Sequence, residues 1–270
     1  MIATEQRNPK TMHLDKMTSL EIAQVMNEEN AYSVASLEPV LPQVAQAIDK
    51  IAEAFAKGGR LFYIGAGTSG RLAVVDASEC PPTFGVSREQ VVGIIAGGMR
   101  TIIHASENIE DDPEDGIREL KERQLCGDDV VVGISASGGA AYVCNAVAYA
   151  NSLGCTTVCV SSNDASKLAQ LATITIAPQT GPEVLTGSTR LKAGNAQKMI
   201  LNMLTTGAMV RSGYVYENLM INLKPTNIKL RARVIRIVQE ITELPENEAL
   251  KLLEQSNWVI RDALKLWKAQ

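Results

Sequence analysis

Arg60-Leu61-Phe62-Tyr63-Ile64-Gly65-Ala66-Gly67-Thr68-Ser69-Gly70-Arg71 sets the class of this chain. Leu61–Ile64 is a short, continuously apolar strand, and a Gly/Ser/Thr loop leads from it into a helix. That order aims backbone N–H groups and two hydroxyls at one spot, with the positive end of a helix dipole behind them. Phosphate suits such a place. The loop also fits the dinucleotide pattern G-x-G-x-x-G, which needs an acidic residue about 20 residues on, at the end of the second strand, to hold a ribose. Here the second strand ends Ile95-Ala96-Gly97-Gly98, so the dinucleotide reading fails and no cofactor is implied. A purely structural turn is the plain alternative, since glycines also serve close helix–strand packing. The hydroxyls of Thr68 and Ser69 weigh against it.

A second loop repeats the arrangement. Val130-Val131-Val132-Gly133-Ile134 runs into Ser135-Ala136-Ser137-Gly138-Gly139, and a helix follows. Ligands of open α/β sheets bind at the carboxyl ends of parallel strands. Two such loops in one sheet point to a phosphorylated small molecule.

Around these loops strands and helices alternate. Strand candidates are Leu61–Ile64, Val91–Ala96, Val130–Ser135, Thr156–Ser161 and Thr173–Ile176, each apolar and rich in β-branched residues. Continuous apolar runs belong to a parallel sheet covered on both faces. Helices are expected at 69–76, 114–125, 139–153, 164–171 and 189–211. The fold class is therefore α/β, a doubly wound parallel five-stranded sheet flanked by helices. Residues 1–57 form an N-terminal helical segment, in which Thr18 or Ser19 caps the first helix and Gly58-Gly59 ends the second. Residues 58–226 form the sheet domain, and 227–270 a small C-terminal helical appendage, with a helix start at Thr242-Glu243-Leu244-Pro245-Glu246.

Composition narrows the function. The formal charge of −4 lacks the basic excess of a nucleic-acid binder. No apolar run is long enough to span a bilayer, and the first ten residues are polar, so a cytoplasmic protein without membrane association is expected. The five cysteines have no Cys-x-x-Cys spacing and read as small core hydrophobes. With only His13 and His104, a histidine-based metal site or a Ser-His-Asp triad has little material, and no metal is expected.

Carboxylates stand close to the loops in sequence. Asp76-Ala77-Ser78-Glu79-Cys80-Pro81-Pro82-Thr83-Phe84-Gly85 follows the first loop, and its prolines are expected to fix Glu79 rigidly near that loop. A second cluster, Glu107-Asn108-Ile109-Glu110-Asp111-Asp112, follows the second strand; a solvated cap is its plain reading. Together, GAGTSGR, DASECPPTFGV, IIAGG, VVVGISASG and TGSTRLKAG with AQKMILNML resemble the N-acetylmuramic acid 6-phosphate etherase family, which has the sugar isomerase (SIS) fold. The similarity runs from Thr4-Glu5-Gln6-Arg7-Asn8-Pro9 to about Lys229.

The resemblance implies a lyase that removes D-lactate from N-acetylmuramic acid 6-phosphate, working in cytoplasmic amino-sugar metabolism and cell-wall recycling as a homodimer. It implies a proton donor at Glu79 and a second catalytic carboxylate at Glu110. Phosphate contacts carry over to Thr68, Ser69, Ser135 and Ser137, with the loop glycines Gly67 and Gly138 beside them. Gly187-Ser188-Thr189-Arg190-Leu191-Lys192 has two readings: Ser188 or Thr189 caps the long helix, or the helix start closes the sugar site, with Ser188 lining it and Arg190 or Lys192 drawing in the anion. One departure stands out. Where the family usually reads S-G-R-T-P-Y-V, this chain reads Ser137-Gly138-Gly139-Ala140-Ala141-Tyr142-Val143. An arginine and a threonine hydroxyl are missing, a loss expected to cost about 1.5–3 kcal/mol of phosphate binding. A non-catalytic sugar-phosphate sensor and an aldose–ketose isomerase are the rival readings, and lactate release separates both from the etherase.

Overall fold

The computed structural model describes residues 3–104, 109–223, 225 and 228–268. The chain divides into two compact units, Met1–Ala77 with Glu89–Ala208, and Ser78–Arg88 with Met209–Gln270. The helical appendage expected at 227–270 thus falls within a larger second unit.

The first unit opens with three single 3-10 turns, Ala3–Glu5, Pro9–Thr11 and Leu14–Lys16. Helix α1 (Ser19–Ala35) begins at Thr18. The Thr18 hydroxyl accepts from Glu21 N, and the Glu21 carboxylate accepts from Thr18 N, a reciprocal capping box. Helix α2 (Leu41–Ala56) buries Val44, Ala47, Ile51 and Ala54, which helical spacing puts on one face.

The alternation read from the sequence follows: β1 (Leu61–Gly65), α3 (Gly67–Phe84), β2 (Val91–Ile95), α4 (Arg100–Ile103), α5 (Asp115–Glu122), β3 (Val130–Ile134), α6 (Ala141–Ser152), β4 (Thr156–Val160), α7 (Lys167–Leu171), β5 (Ile174–Ile176) and α8 (Lys192–Arg211). The five strands form one parallel sheet in the order β2-β1-β3-β4-β5. Every residue of β1 and β3 is buried, as a strand covered on both faces requires. Phe62, Ile64, Val131 and Cys159 face one way and pack with Tyr142, Val143 and Val147 of α6. Each large apolar side chain so buried contributes roughly 1.5–3 kcal/mol. Tyr63 faces the other way, and its hydroxyl donates to the Leu201 carbonyl of α8 at 3.3 Å. Gly133 is what lets α6 approach, because a Cβ there would lie 2.7 Å from Val147 Cγ2.

Helix α3 departs from expectation. It does not stop near residue 76 but runs through Pro81 and Pro82 to Phe84. Prolines usually break a helix because they lack an N–H and crowd the preceding turn. Here both fall in the last turn, so few turns remain to be disrupted. All five cysteines are free; four are buried, Cys155 and Cys159 among them as expected, and Cys126 is exposed. Burial pushes the Cys155 and Cys159 thiols up to about 11.

The second unit is built around its own apolar core. A short antiparallel hairpin, β6 (Val215–Tyr216) and β7 (Leu219–Met220), precedes α9 (Ile228–Thr242), α10 (Glu246–Gln255) and α11 (Ile260–Lys268). Val234, Ile237, Leu252, Leu253, Ile260 and Leu264 close its core. The Arg231 guanidinium lies over the Trp258 ring, 5.2 Å from its centroid. Gly85, at φ +65°, meets the chain at Asn222, whose side-chain N–H donates to the Phe84 carbonyl at 2.7 Å.

One buried carboxyl in the first unit makes stability depend on pH. Asn202 Nδ2 donates to Asp76 Oδ1 at 2.6 Å, and the polar Thr205 and Tyr63 hydroxyls also favour its charged form. Burial outweighs them and raises the Asp76 pKa. A raised native pKa gives stability that is complete below the unfolded value, about 3.9, and is lost as pH rises through the native value. Asp76→Asn keeps an acceptor for Asn202 and cannot ionise. Thermal melts followed by circular dichroism should show the variant matching wild type near the unfolded carboxyl pKa and melting higher at neutral pH. A gap that narrows as pH rises would contradict this account.

Candidate functional site

Strands β1 and β3 are neighbours, and Gly65 aligns with Ile134 in their register. The loops that leave them therefore start at the same level. Between them lies a cavity of about 320 Å³ lined by Ala66, Gly67, Thr68 and Ser69 from the first loop and by Ile134, Ser135, Ala136, Ser137 and Ala140 from the second. Glu5, Glu110, Gly187 and Thr189 complete the lining.

The first loop is shaped by its glycines. A Cβ at Gly65 would lie 2.8 Å from Gly70 N, and one at Gly70 would lie 2.6 Å from the Gly65 carbonyl oxygen. Those two glycines let α3 start directly over the strand. Gly67 serves differently: its φ is +53° and the space about it is open toward the cavity. The Ser69 hydroxyl donates to Gln197 Oε1 of α8 at 2.9 Å, which fixes its rotamer.

The second loop is tied by its own serines. Gly138 N–H donates to the Ser135 hydroxyl at 3.2 Å and to the Ser135 carbonyl at 3.0 Å. Gly139 N–H donates to the Ser137 hydroxyl at 3.3 Å. Two of the N–H groups expected to face an anion are thus engaged within the loop. Helix α6 has Ala140 as its N-cap and no side-chain cap, so its first-turn N–H groups stand uncapped at the cavity edge. With the start of α3, this brings two helix N-termini to one cavity, a favourable place for an anion.

Of the residues singled out from the sequence, Gly67, Thr68, Ser69, Ser135, Ser137 and Glu110 line this cavity. Gly138 stands behind it in the loop turn, and Ser188 sits between two lining residues without lining it. Glu110 lies in a short 3-10 turn, Ile109–Asp111, and is exposed. Glu107 and Asn108 of the same cluster fall outside the described residues. Glu79, exposed on α3 twelve residues beyond Gly67, is not among the lining residues. The prolines that follow it lie within the same helix, which runs on to Phe84.

Lys192 is placed differently from a substrate-seeking cation. Its ammonium is buried and paired with Glu29 of α1, and it lies over the Tyr32 ring at 5.2 Å. Glu29 also takes Lys10 at 3.0 Å and Asn8 Nδ2 at 2.9 Å. Burial alone would raise the Glu29 carboxyl, but Lys192, Lys10 and Asn8 together hold it below the usual range. The cap expected of Ser188 or Thr189 is supplied instead by Glu183, a fully buried carboxylate that accepts from Lys192 N at 2.9 Å and Ala193 N at 3.0 Å. Burial outweighs those bonds and raises the Glu183 pKa.

Sequence reasoning missed Glu5 as a cavity residue. Its only signal was membership in the N-terminal stretch Thr4–Pro9, which is far from the loops along the chain. Among the described residues no group of three metal-ligating side chains stands together.

The five-stranded parallel sheet flanked by helices is of the SIS type, and the chain matches the SIS domain over residues 117–207. It also matches the glucokinase regulatory protein N-terminal SIS domain over residues 43–151. Solved phosphoheptose isomerases from Francisella tularensis and Neisseria gonorrhoeae share the fold. Their TM-scores are 0.57 and 0.54, at 19% and 18% identity, covering 71% and 70% of this chain and 98% of each of theirs. Curated relatives carry the similarity much further. N-acetylmuramic acid 6-phosphate etherase of Pasteurella multocida is 53% identical over 95% of this chain and 85% of its own length. That of Brucella anthropi is 53% identical over 93% of this chain and 82% of its own. This chain belongs to the N-acetylmuramic acid 6-phosphate etherase family.

The Glu29–Lys192 pair gives a signed prediction. A depressed native pKa gives stability that is present above the unfolded value and lost as pH falls through the native one. Lys192→Met leaves Glu29 buried with weaker compensation, so a loss of about 3 kcal/mol is expected at neutral pH. The deficit should shrink in acid as Glu29 protonates. Inorganic phosphate should bind the folded variant as it binds wild type. Weakened phosphate binding without loss of stability would instead make Lys192 a ligand-binding group.

Proposed function

We propose that this chain cleaves the D-lactyl ether of N-acetylmuramic acid 6-phosphate, giving N-acetylglucosamine 6-phosphate and D-lactate. Membership of the etherase family supports this, and the observation that carries it is the cavity shared by both Ser/Thr loops and the Glu110 carboxylate. Phosphate is held by the hydroxyls of Thr68, Ser135 and Ser137 and by N–H groups at the starts of α3 and α6, while the Ser69 hydroxyl stays with Gln197.

The chemistry needs only proton transfers. In the open-chain sugar the C2 hydrogen is acidic because its carbanion is conjugated with the aldehyde. A carboxylate removes it, the C3–O bond breaks, and the leaving lactate oxygen takes a proton from an acid. Water then adds across the unsaturated aldehyde, hydroxyl to C3 and proton to C2. Glu110 and Glu79 share the acid and base roles, with Glu79 as proton donor to the leaving oxygen. Glu79 is not among the residues that line this cavity, and in this reading a homodimer supplies it from the second copy. The working place is the cytoplasm, within cell-wall recycling.

A sugar-phosphate sensor is the second reading, motivated by Gly139-Ala140-Ala141 and by the match to a glucokinase regulatory protein domain. One assay separates the two. Purified protein given N-acetylmuramic acid 6-phosphate, with chelator present, should release lactate catalytically. Glu110→Gln should lower kcat by roughly 10²–10⁴-fold while the sugar phosphate still raises the melting temperature. Stabilisation by sugar phosphate without any lactate would favour the sensor, and full activity in Glu110→Gln would remove that residue from the mechanism.

A further inference from the structure

Glu5 is the carboxylate in the cavity that the reaction above does not use. It ends the 3-10 turn Ala3–Glu5 and is exposed. The chain is pinned on both sides of it. Thr4 is fully buried, and Asn8 is anchored by its Nδ2 bonds to Glu29 Oε2 at 2.9 Å and to the Pro182 carbonyl at 3.2 Å. The carboxylate lies against Gly187, where a Cβ would come 3.4 Å from Glu5 Oε2. Among the described residues, no side chain forms an ion pair or hydrogen bond with it.

An unpaired carboxylate on a fixed segment is an odd neighbour for a phosphate dianion, because like charges repel. Its value lies at the other end of the ligand. An ionised carboxylate only accepts hydrogen bonds, whereas the two loops offer hydroxyl and N–H donors to the same cavity. The cavity therefore offers two kinds of partner. A bare phosphate uses one of them; a sugar phosphate, with hydroxyl and amide N–H donors several bonds from its phosphate, uses both.

We propose that Glu5 contacts the substrate, accepting hydrogen bonds from hydroxyl or amide N–H groups of the sugar while the two loops hold its phosphate. The assignment rests on the sugar-phosphate reading above and adds to it the group that tells a sugar phosphate from other phosphates. Hydrogen bonds to a charged acceptor are the stronger kind, so losing one weakens binding about tenfold or more.

The test is titration calorimetry on the full chain and on Glu5→Gln and Glu5→Ala, with folding checked by circular dichroism. The probes are inorganic phosphate, glucose 6-phosphate and N-acetylglucosamine 6-phosphate. The two variants should bind inorganic phosphate as well as wild type or slightly tighter, since a like charge is gone, and should bind N-acetylglucosamine 6-phosphate about tenfold or more weakly. An equal loss for glucose 6-phosphate assigns the contact to hydroxyls; a loss confined to the acetamido sugar assigns it to the amide N–H. Tightening for every probe would make Glu5 merely a repelling charge, and a parallel loss for every probe would make it a support for the segment. Either result, or no change, overturns the proposal. Wild type that binds phosphate but neither sugar phosphate would show instead that the sugar-phosphate reading itself is wrong.

Discussion

The pairing of β1 with β3 is the constraint on which the site depends. The chain leaves β1 to build β2 on one side and returns to build β3 on the other. The connections after β1 and β3 thus diverge to opposite faces and open a crevice between their first residues, the place where ligands of open α/β sheets collect. Alignment at the far end keeps the crevice in shape. Arg60, just before β1, donates to Asp129, just before β3, from its backbone N–H at 2.8 Å and from its guanidinium at 2.8 and 3.2 Å. Asp129 also accepts from Cys126 N. Burial would raise this carboxyl, but Arg60 and the N–H groups hold it below the usual range, so it stays charged at neutral pH. A one-residue slip between the strands would move Ser135 away from the level of Ala66 and reverse which β3 side chains meet α6.

A second constraint is electrostatic and reaches across the sequence. Asn8, Glu29, Glu183 and Lys192 are all buried, and the Ser33 hydroxyl donates to the Lys192 carbonyl at 2.9 Å. Burying an ion pair is costly, and the cost is met only when the remaining lone pairs and protons are satisfied. Here they are shared among the N-terminal segment, α1 and the start of α8. A network of that kind is poorly suited to adding net stability and well suited to holding three separate pieces of chain in one arrangement. Glu5, Gly187 and Thr189 are the residues so delivered to the cavity.

How much of this could be read from residues alone follows from the range of each interaction. The strands were legible because both faces are covered, which leaves uninterrupted runs such as Val130-Val131-Val132. The Thr18 cap and the loop glycines were legible because their partners lie within a few residues. Helix α3 past residue 76 was not, because Pro81 and Pro82 read as a signal to stop, whereas both fall in the helix's last turn. The β6–β7 hairpin escaped for the opposite reason: its turn is Glu217-Asn218, and the positive φ of +51° falls on Glu217, not on the asparagine or a glycine. Glu183 as the cap of α8 and Glu5 as a wall of the cavity depend on contacts nine or more residues apart in sequence, which no short motif encodes.

The second loop bears on how an anion would be held. An arginine would contribute a full charge felt over many ångströms, whereas hydroxyls and N–H groups act only on contact. With Gly138 and Gly139 N–H engaged by Ser135 and Ser137, the remaining donors are the free hydroxyl positions and the uncapped first turn of α6. Glu5 and Glu110 add two negative charges to the same cavity, and the chain as a whole is acidic. Long-range attraction therefore contributes little to drawing in a phosphate. On the reading proposed above, selection rests on short-range fit, with hydroxyl and N–H donors and carboxylate acceptors lining one cavity. A ligand that carries both kinds of group at the right separation is favoured over one that is merely more highly charged.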